Sequence, residues 1–185
     1  MTAHFAVSDE IKIIKGQIDP KTTGIYCDMD QVLVNFLGGA RRALGKEFND
    51  AELGTNEHKW LFLATVQEFW FHLEWMPGAQ MLWNVIRGYN THILSACPDG
   101  MLMPLCPDEK KRWCVQHLGI SSDRVQTVMR EDKHKFAMLD GRPQLLIDDH
   151  PRNVAEWIAA GGVAIHHFTV PETIARLRFL GFVQT

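Results

Sequence analysis

The sequence predicts an α/β protein, a parallel β-sheet covered on both faces by helices, with a small helical segment inserted near its amino-terminal end. Three observations carry this expectation. From residue 24 onward short apolar runs alternate with segments of helical period, as strand–helix–strand units do. Two of the apolar runs end in paired carboxylates, Asp28 with Asp30 and Asp148 with Asp149, and parallel sheets gather their ligands outside the carboxyl ends of their strands. Between them, residues 46–76 crowd Trp60, Phe62, Phe69, Trp70, Phe71 and Trp75 into a short stretch with helix-period apolar positions.

In order along the chain, residues 1–22 combine a short apolar segment at 11–14 with the turn-prone Asp19-Pro20, and read as a peripheral strand or arm. Residues 24–27 form the first clear strand, followed by a helix over about 34–44 that stops near Gly45. The aromatic stretch then reads as an inserted helical cap. Met76-Pro77-Gly78 turns the chain into a helix over 79–87, and residues 92–95 form a second buried strand broken by Pro98-Asp99-Gly100. Pro107-Asp108-Glu109 opens an amphipathic helix closed by Gly119. Strands follow at 125–129, 144–147 and 163–168, with a helix over 153–160 stopped by Gly161-Gly162 and a closing helix begun by Pro171. The division is therefore an α/β core at 1–35 and 77–185, with a cap at 36–76.

Composition bounds the function. A chain of 185 residues with 46% hydrophobic and 22% charged content is an ordinary globular protein with one core. Its net charge of −3 weighs against tight, sequence-independent binding to a polynucleotide, yet allows a small phosphorylated ligand held by local cations. Cys27, Cys97, Cys106 and Cys114 show no Cys-x-x-Cys spacing and read as reduced, mostly buried thiols; a zinc cluster with His166 and His167 is the weaker reading. No signal-peptide pattern and no membrane-span-length apolar run occur, so a soluble, cytoplasmic protein is expected.

Asp28 and Asp30 stand at i and i+2, on one side of a strand while it lasts, and a bend at its end can aim them differently. Alone, such a pair is more often two solvated turn aspartates. Together with Ser95 on the second strand and Asp148-Asp149 on the fourth, it forms a carboxylate cluster that repels itself and calls for a hard cation such as Mg²⁺. The basic stretch Arg130-Glu131-Asp132-Lys133-His134-Lys135 precedes the fourth strand and can supply an ammonium to a bound phosphate.

The ordered set Asp28-Met29-Asp30, Ser95, Lys133, Asp148-Asp149 resembles the four motifs of the haloacid dehalogenase superfamily of phosphotransferases, and spans nearly the whole chain after residue 24. Within that superfamily the chain is most similar to the 5′(3′)-deoxyribonucleotidase family, including phage and bacterial relatives. The likeness rests on Asp28 through Leu33 with Asn35-Phe36, on Phe69 through Glu74 leading to Met76-Pro77-Gly78-Ala79, and on Cys106-Pro107 with Glu109-Lys110 and Trp113. Asp132-Lys133 and Leu145 through Pro151 complete it.

The resemblance implies a three-layer, Rossmann-like core with a helical cap and a Mg²⁺-dependent phosphatase acting on nucleoside monophosphates, with deoxyribonucleotides foremost. It implies Asp28 as the nucleophile that forms an aspartyl-phosphate, and Asp30 as the acid and base, its backbone carbonyl facing the metal. Mg²⁺ falls to Asp28, Asp30 and Asp149, with Asp148 a second ligand or an outer partner. Ser95 and Lys133 fall to the phosphate, with the Ala96 position and Lys135 as alternatives under a shifted alignment. Phe69 and Trp70, and more weakly Phe36, fall to the base. Gln31 stands where the family usually has Gly. A phosphatase for another small phosphometabolite or a polynucleotide end, and a phosphate-binding module without turnover, are the rival readings. The sequence leaves a homodimer open.

Overall fold

The computed structural model describes residues 18–183; the apolar segment at 11–14 lies outside them. The centre is a five-stranded parallel sheet in the order β3-β2-β1-β6-β7. Its strands are β1 (Ile25–Cys27), β2 (Thr91–Ala96), β3 (Val125–Val128), β6 (Leu145–Asp148) and β7 (Val163–His166). A small antiparallel pair, β4 (Met138–Leu139) and β5 (Arg142–Pro143), stands apart. It is absent from the sequence expectations, although its turn residues carry a signal: Asp140 and Gly141 have φ of 50° and 71°, the double left-handed turn that Asp-Gly favours.

The described residues form six α-helices: α1 (Phe36–Leu44), α2 (Asn56–Ala64), α3 (Ala79–Ile86), α4 (Cys106–Leu118), α5 (Pro151–Ala159) and α6 (Val170–Phe179). The period-2 alternation of the strands sorts the core into two layers. Ile25, Cys27, Ile93, Leu145 and Ile147 pack with Leu82, Trp113 and Leu177 of α3, α4 and α6. Tyr26, Leu94 and Leu146 face the opposite way, onto Ala137 and Trp157 of α5. Three layers result, as the sequence pattern predicts. Among the described residues, no helix is long and apolar enough to cross a membrane.

The topology fixes where a ligand fits. From β1 the chain adds β2 and β3 on one side, and from β6 it adds β7 on the other, so the order reverses between β1 and β6. Crevices outside the carboxyl ends at such reversals are the usual ligand sites of open α/β sheets. Asp28 and Asp148 lie there.

Residues 36–76 leave and rejoin this frame side by side. Asn35 N donates to the Glu74 carbonyl and Met76 N to the Leu33 carbonyl, both at 2.8 Å, and Val34 bridges Trp75 antiparallel. The Asn35 side chain caps α1 by accepting from Gly38 N at 2.9 Å, and Gly45, left-handed at φ 71°, ends it. Within this segment Phe36, Phe48, Trp60, Phe69 and Trp70 pack ring against ring. Two buried bonds seat it on α4: Trp70 N donates to Glu109 Oε2 and Trp113 Nε1 to the Leu73 carbonyl, each at 2.9 Å.

Candidate active site

Strand β1 stops at Cys27, and the chain bends immediately, so Asp28 and Asp30 separate. Asp28 keeps the parity of Tyr26 and meets Lys133 Nζ at 2.9 Å. Asp30 is turned to the α4 side, where its Oδ2 accepts from Lys110 Nζ at 2.6 Å. The bend is completed by Gln31 in the left-handed region at φ 58°, where glycine is the easier residue. Its side chain compensates by accepting from Leu37 N at 2.9 Å, one of the first-turn amides of α1 that lack an intrahelical partner. That geometry accounts for a Gln at the position where the resembled family has Gly.

Lys133 comes from a 3₁₀ segment, Arg130–Phe136, which the basic stretch before the fourth strand forms. It is 2% exposed and bridges Asp28 to Asp148, the second contact at 2.8 Å. Burial works against its charge, but the two carboxylates outweigh burial and raise it above the ordinary lysine range. Of the two candidate lysines only Lys133 takes this place, since Lys135 is exposed and paired with Asp132 at 2.6 Å. Arg130, three residues before Lys133 and so on the same face of a 3₁₀ turn, also borders the site and is held by Glu156 at 2.8 Å.

Asp148 is fully buried and saturated. Besides Lys133 it accepts from His150 N at 2.8 Å and from Asn153 Nδ2 at 3.1 Å on both oxygens. Asp149 is half-buried and borders the cavity; burial first, then the Asp148 charge, pushes its carboxyl up to about 6. Asp28 is pushed further, to about 8, chiefly by burial; Lys133 opposes the rise and Asp148, Asp30 and Asp149 add to it.

Carboxylate oxygens of Asp28, Asp148 and Asp149 all lie within 4.8 Å of one another. Among the described residues, the ion pairs of the four carboxylates Asp28, Asp30, Asp148 and Asp149 are to the ammonium groups of Lys110 and Lys133, a formal surplus of two negative charges. A divalent, oxygen-seeking cation fits that donor set. Asp28 and Asp149 are the oxygens open to it, while Asp148 is committed to orienting Lys133.

The linkage has a definite sign. A carboxyl whose folded-state value is raised stabilises the fold fully below the unfolded value near 3.9, and that contribution is lost as pH climbs through the folded value. With Asp149 at about 6 and Asp28 at about 8, the metal-free protein is expected to lose stability from about pH 4 to about pH 8. Millimolar Mg²⁺ should restore the thermal midpoint at the upper end and do little at the lower. A midpoint independent of pH in chelator would contradict this charge balance.

These groups line a cavity of about 350 Å³, shared by Asp28, Asp30, Gln31, Lys133, Asp149 and His150 at one end and Phe36, Trp60 and Trp70 at the other. Two sequence candidates lie off this cavity. Ser95, expected to bind phosphate, has the parity of Ile93 and so points to α4; it is fully buried, its Oγ accepts from Lys110 Nζ at 2.8 Å, and Ala96 lines the cavity in its place. Phe69, expected beside a base, packs edge-on against Trp70 at 5.2 Å and lines a second cavity of about 560 Å³ on the far side. Among the described residues the cysteines and histidines form no group that could hold a metal, as the weaker zinc reading required: His166 bonds the Asp149 carbonyl at 2.9 Å and His167 bonds Thr173 at 2.8 Å, while Cys97 and Cys106 face each other.

Trp70 does border the carboxylate cavity, and its ring is already engaged. Phe36 stacks on it at 5.2 Å and 12°, and Lys110 Nζ lies 4.0 Å from the ring centroid. Trp60, half-buried in α2, is the aromatic wall residue that sequence reasoning missed.

Lys110 is the other omission. It is fully buried, and its Nζ donates to Asp30 Oδ2, Ser95 Oγ and, at 2.6 Å, the Ala96 carbonyl. Burial opposes its charge, and Asp30 with the neighbouring cysteine sulfurs holds it above the ordinary range. The remaining oxygen of Asp30, Oδ1, has no hydrogen-bond partner among the described residues.

No family model matches the chain, and no curated protein does so significantly. Among solved structures, a hydrolase from Streptococcus pneumoniae TIGR4 is similar at 13% identity and a TM-score of 0.48, over 85% of this chain and 99% of that one. A likeness that distant carries no functional argument, so the reading of the site rests on its side chains.

Proposed function

We propose that the protein is a Mg²⁺-dependent phosphatase of the haloacid dehalogenase type, acting on nucleoside monophosphates through an aspartyl-phosphate. One observation carries this reading: Asp28, an ammonium at 2.9 Å from it, and Asp30 with an unpartnered oxygen meet in one cavity at the reversal point of a parallel sheet. A carboxylate nucleophile needs to be ionised, a cation to draw in the phosphate, and a second acid to protonate the leaving oxygen.

The roles follow from position. Mg²⁺, held by Asp28 and Asp149, screens the phosphoryl charge when bound. Asp28 attacks phosphorus and is later freed by water. Asp30, one oxygen fixed by Lys110, keeps the other for the proton that passes to the leaving nucleoside and returns from the water. Lys133, oriented by Asp148, faces the phosphoryl oxygens. Residues 36–76 act as the cap, and Trp60 with the rim of Phe36 offers the base an apolar wall. The cavity volume of about 350 Å³ lies within the range of about 300–1,000 Å³ common to small-molecule sites.

The test is phosphate release from a panel of nucleoside monophosphates, sugar phosphates and an aryl phosphate, with Mg²⁺ and with chelator. Nucleotides should be hydrolysed fastest and chelator should abolish turnover; preference for a sugar phosphate would move the reading to another phosphometabolite. Trp60→Ala should raise KM for nucleotides roughly tenfold, the scale of one lost base–aromatic stack, and leave the aryl phosphate unchanged. Equal effects on both substrates would place the base elsewhere.

A further inference from the structure

Cys97 and Cys106 are set apart from the other cysteines by facing each other. The Cys106 thiol donates to Cys97 Sγ at 2.9 Å, whereas Cys27 is bonded to the Asp28 carbonyl and Cys114 lies against the Met29 sulfur. Cys97 is half-buried and borders the carboxylate cavity; Cys106 borders the neighbouring one. The pair is thus part of the wall between two openings through which a small oxidant can approach.

Closing a disulfide brings the sulfurs to about 2.05 Å, an approach of roughly 0.9 Å. The two ends are not equally free to move. Cys97 is anchored to β3 by its N–H on the Val128 carbonyl at 2.8 Å. Cys106 begins α4 with its N–H on the Met103 carbonyl at a longer 3.2 Å, where Leu105 gives no side-chain cap and is itself exposed. The displacement therefore falls on the first turn of α4. Lys110 sits four residues further on, on the same face of that helix, and holds both Asp30 and the Ala96 carbonyl.

The two thiols also differ in chemistry. The hydrogen bond from Cys106 draws the Cys97 thiol below its ordinary range, with burial opposing and the Lys110 ammonium helping; burial holds Cys106 well above its own. A sulfur that ionises readily attacks oxidants first, and its protonated neighbour resolves the product.

We infer that Cys97 and Cys106 form a thiol pair oxidisable by hydroperoxides, and that their disulfide switches the adjacent site off. In the first step Cys97 sulfur takes the terminal oxygen of the hydroperoxide. The O–O bond breaks, and the thiol proton leaves with the alcohol or water released. In the second, Cys106 sulfur attacks the Cys97 sulfenic acid; the S–S bond forms, the S–O bond breaks, and water carries off the Cys106 proton. The sulfurs together lose two electrons and the hydroperoxide gains two. A dithiol reductant reverses the change.

The experiment treats the full chain with hydrogen peroxide and reads thiols and peptides by mass spectrometry, independently of any activity. The expected result is loss of two of the four thiols, a peptide crosslink between Cys97 and Cys106, and full recovery with dithiothreitol. Cys106→Ser should give no crosslink and leave Cys97 as a sulfenic acid trapped by dimedone. No crosslink, or one involving Cys27 or Cys114, overturns the assignment. Hydrolysis of an aryl phosphate, compared before and after peroxide within each protein, should fall about tenfold or more in wild type, since ångström-scale misplacement costs up to about 10², and recover on reduction. Unchanged hydrolysis by the crosslinked protein, or an equal and irreversible loss in Cys106→Ser, overturns the switch. Absence of hydrolysis in the reduced protein refutes the proposed activity and removes the switch with it, while the crosslink itself is still read.

Discussion

Asp28→Asn is expected to abolish phosphate release, by at least about 10³-fold, because an amide cannot attack phosphorus and no neighbouring carboxylate occupies its place. The same substitution should not harm the fold. Asn keeps the oxygen that accepts from Met29 N at 2.8 Å and can accept from Lys133, and it removes one negative charge from a cluster that burial already holds up to about 8 at this position. In chelator, the thermal midpoint of the variant should match that of wild type near pH 4 and exceed it near pH 8, since between those values the unfolded wild-type carboxyl is ionised while burial keeps the folded one protonated. Both halves are measurable on one preparation. A folded variant that still released phosphate at a comparable rate would remove Asp28 from the chemistry, and a variant that unfolded would show that its charge supports the structure.

Lys110→Met carries the largest expected cost in stability. It leaves the Asp30 carboxylate without its cation and the Ala96 carbonyl without its donor, and breaking a buried pair from one side costs about 3–5 kcal/mol. For a chain of this size the thermal midpoint should drop by roughly 2–4 °C for each kcal/mol. Turnover should fall through kcat more than through KM, because Lys110 fixes one oxygen of Asp30 and does not itself line the cavity. The double substitution Lys110→Met with Asp30→Asn separates the causes. It leaves no unpaired charge and should recover most of the lost stability without recovering turnover. A single variant as stable as wild type would mean that water, not Lys110, balances Asp30.

The difference between these two residues marks how far the sequence could be read. Asp28 was legible because it ends an apolar run and is matched by a second carboxylate pair at the end of another; that arrangement has few uses other than a cation. Lys110 was not. Beside Lys111 and Arg112 on an amphipathic helix it reads as one more solvated charge, and its burial depends on Trp70, Ser95 and Asp30, which come from three other segments. Lys133 and Lys135 posed the same difficulty: two residues apart, they differ entirely in exposure because a 3₁₀ segment turns one inward.

Ser95 and Phe69 show the opposite limit, where residue type suggested a role that orientation denies. Ser95 ends a correctly placed strand, yet period-2 alternation sends its hydroxyl to the α4 side with Ile93, and the cavity is met by Ala96 and Cys97. Phe69 stands in an aromatic run next to Trp70, yet it lines the second cavity while Trp60 lines the first.

The sequence by itself determined the α/β architecture, the five parallel strands and the carboxylates at two strand ends, because all of these follow from local periodicity and turn chemistry. Only the tertiary structure decided which way Asp30, Ser95, Lys110 and Lys133 point, which aromatic rings border the cavity, and that Cys97 meets Cys106. Those are outcomes of packing between segments far apart in the chain, where burial and charge pairing, not the local pattern, select one orientation.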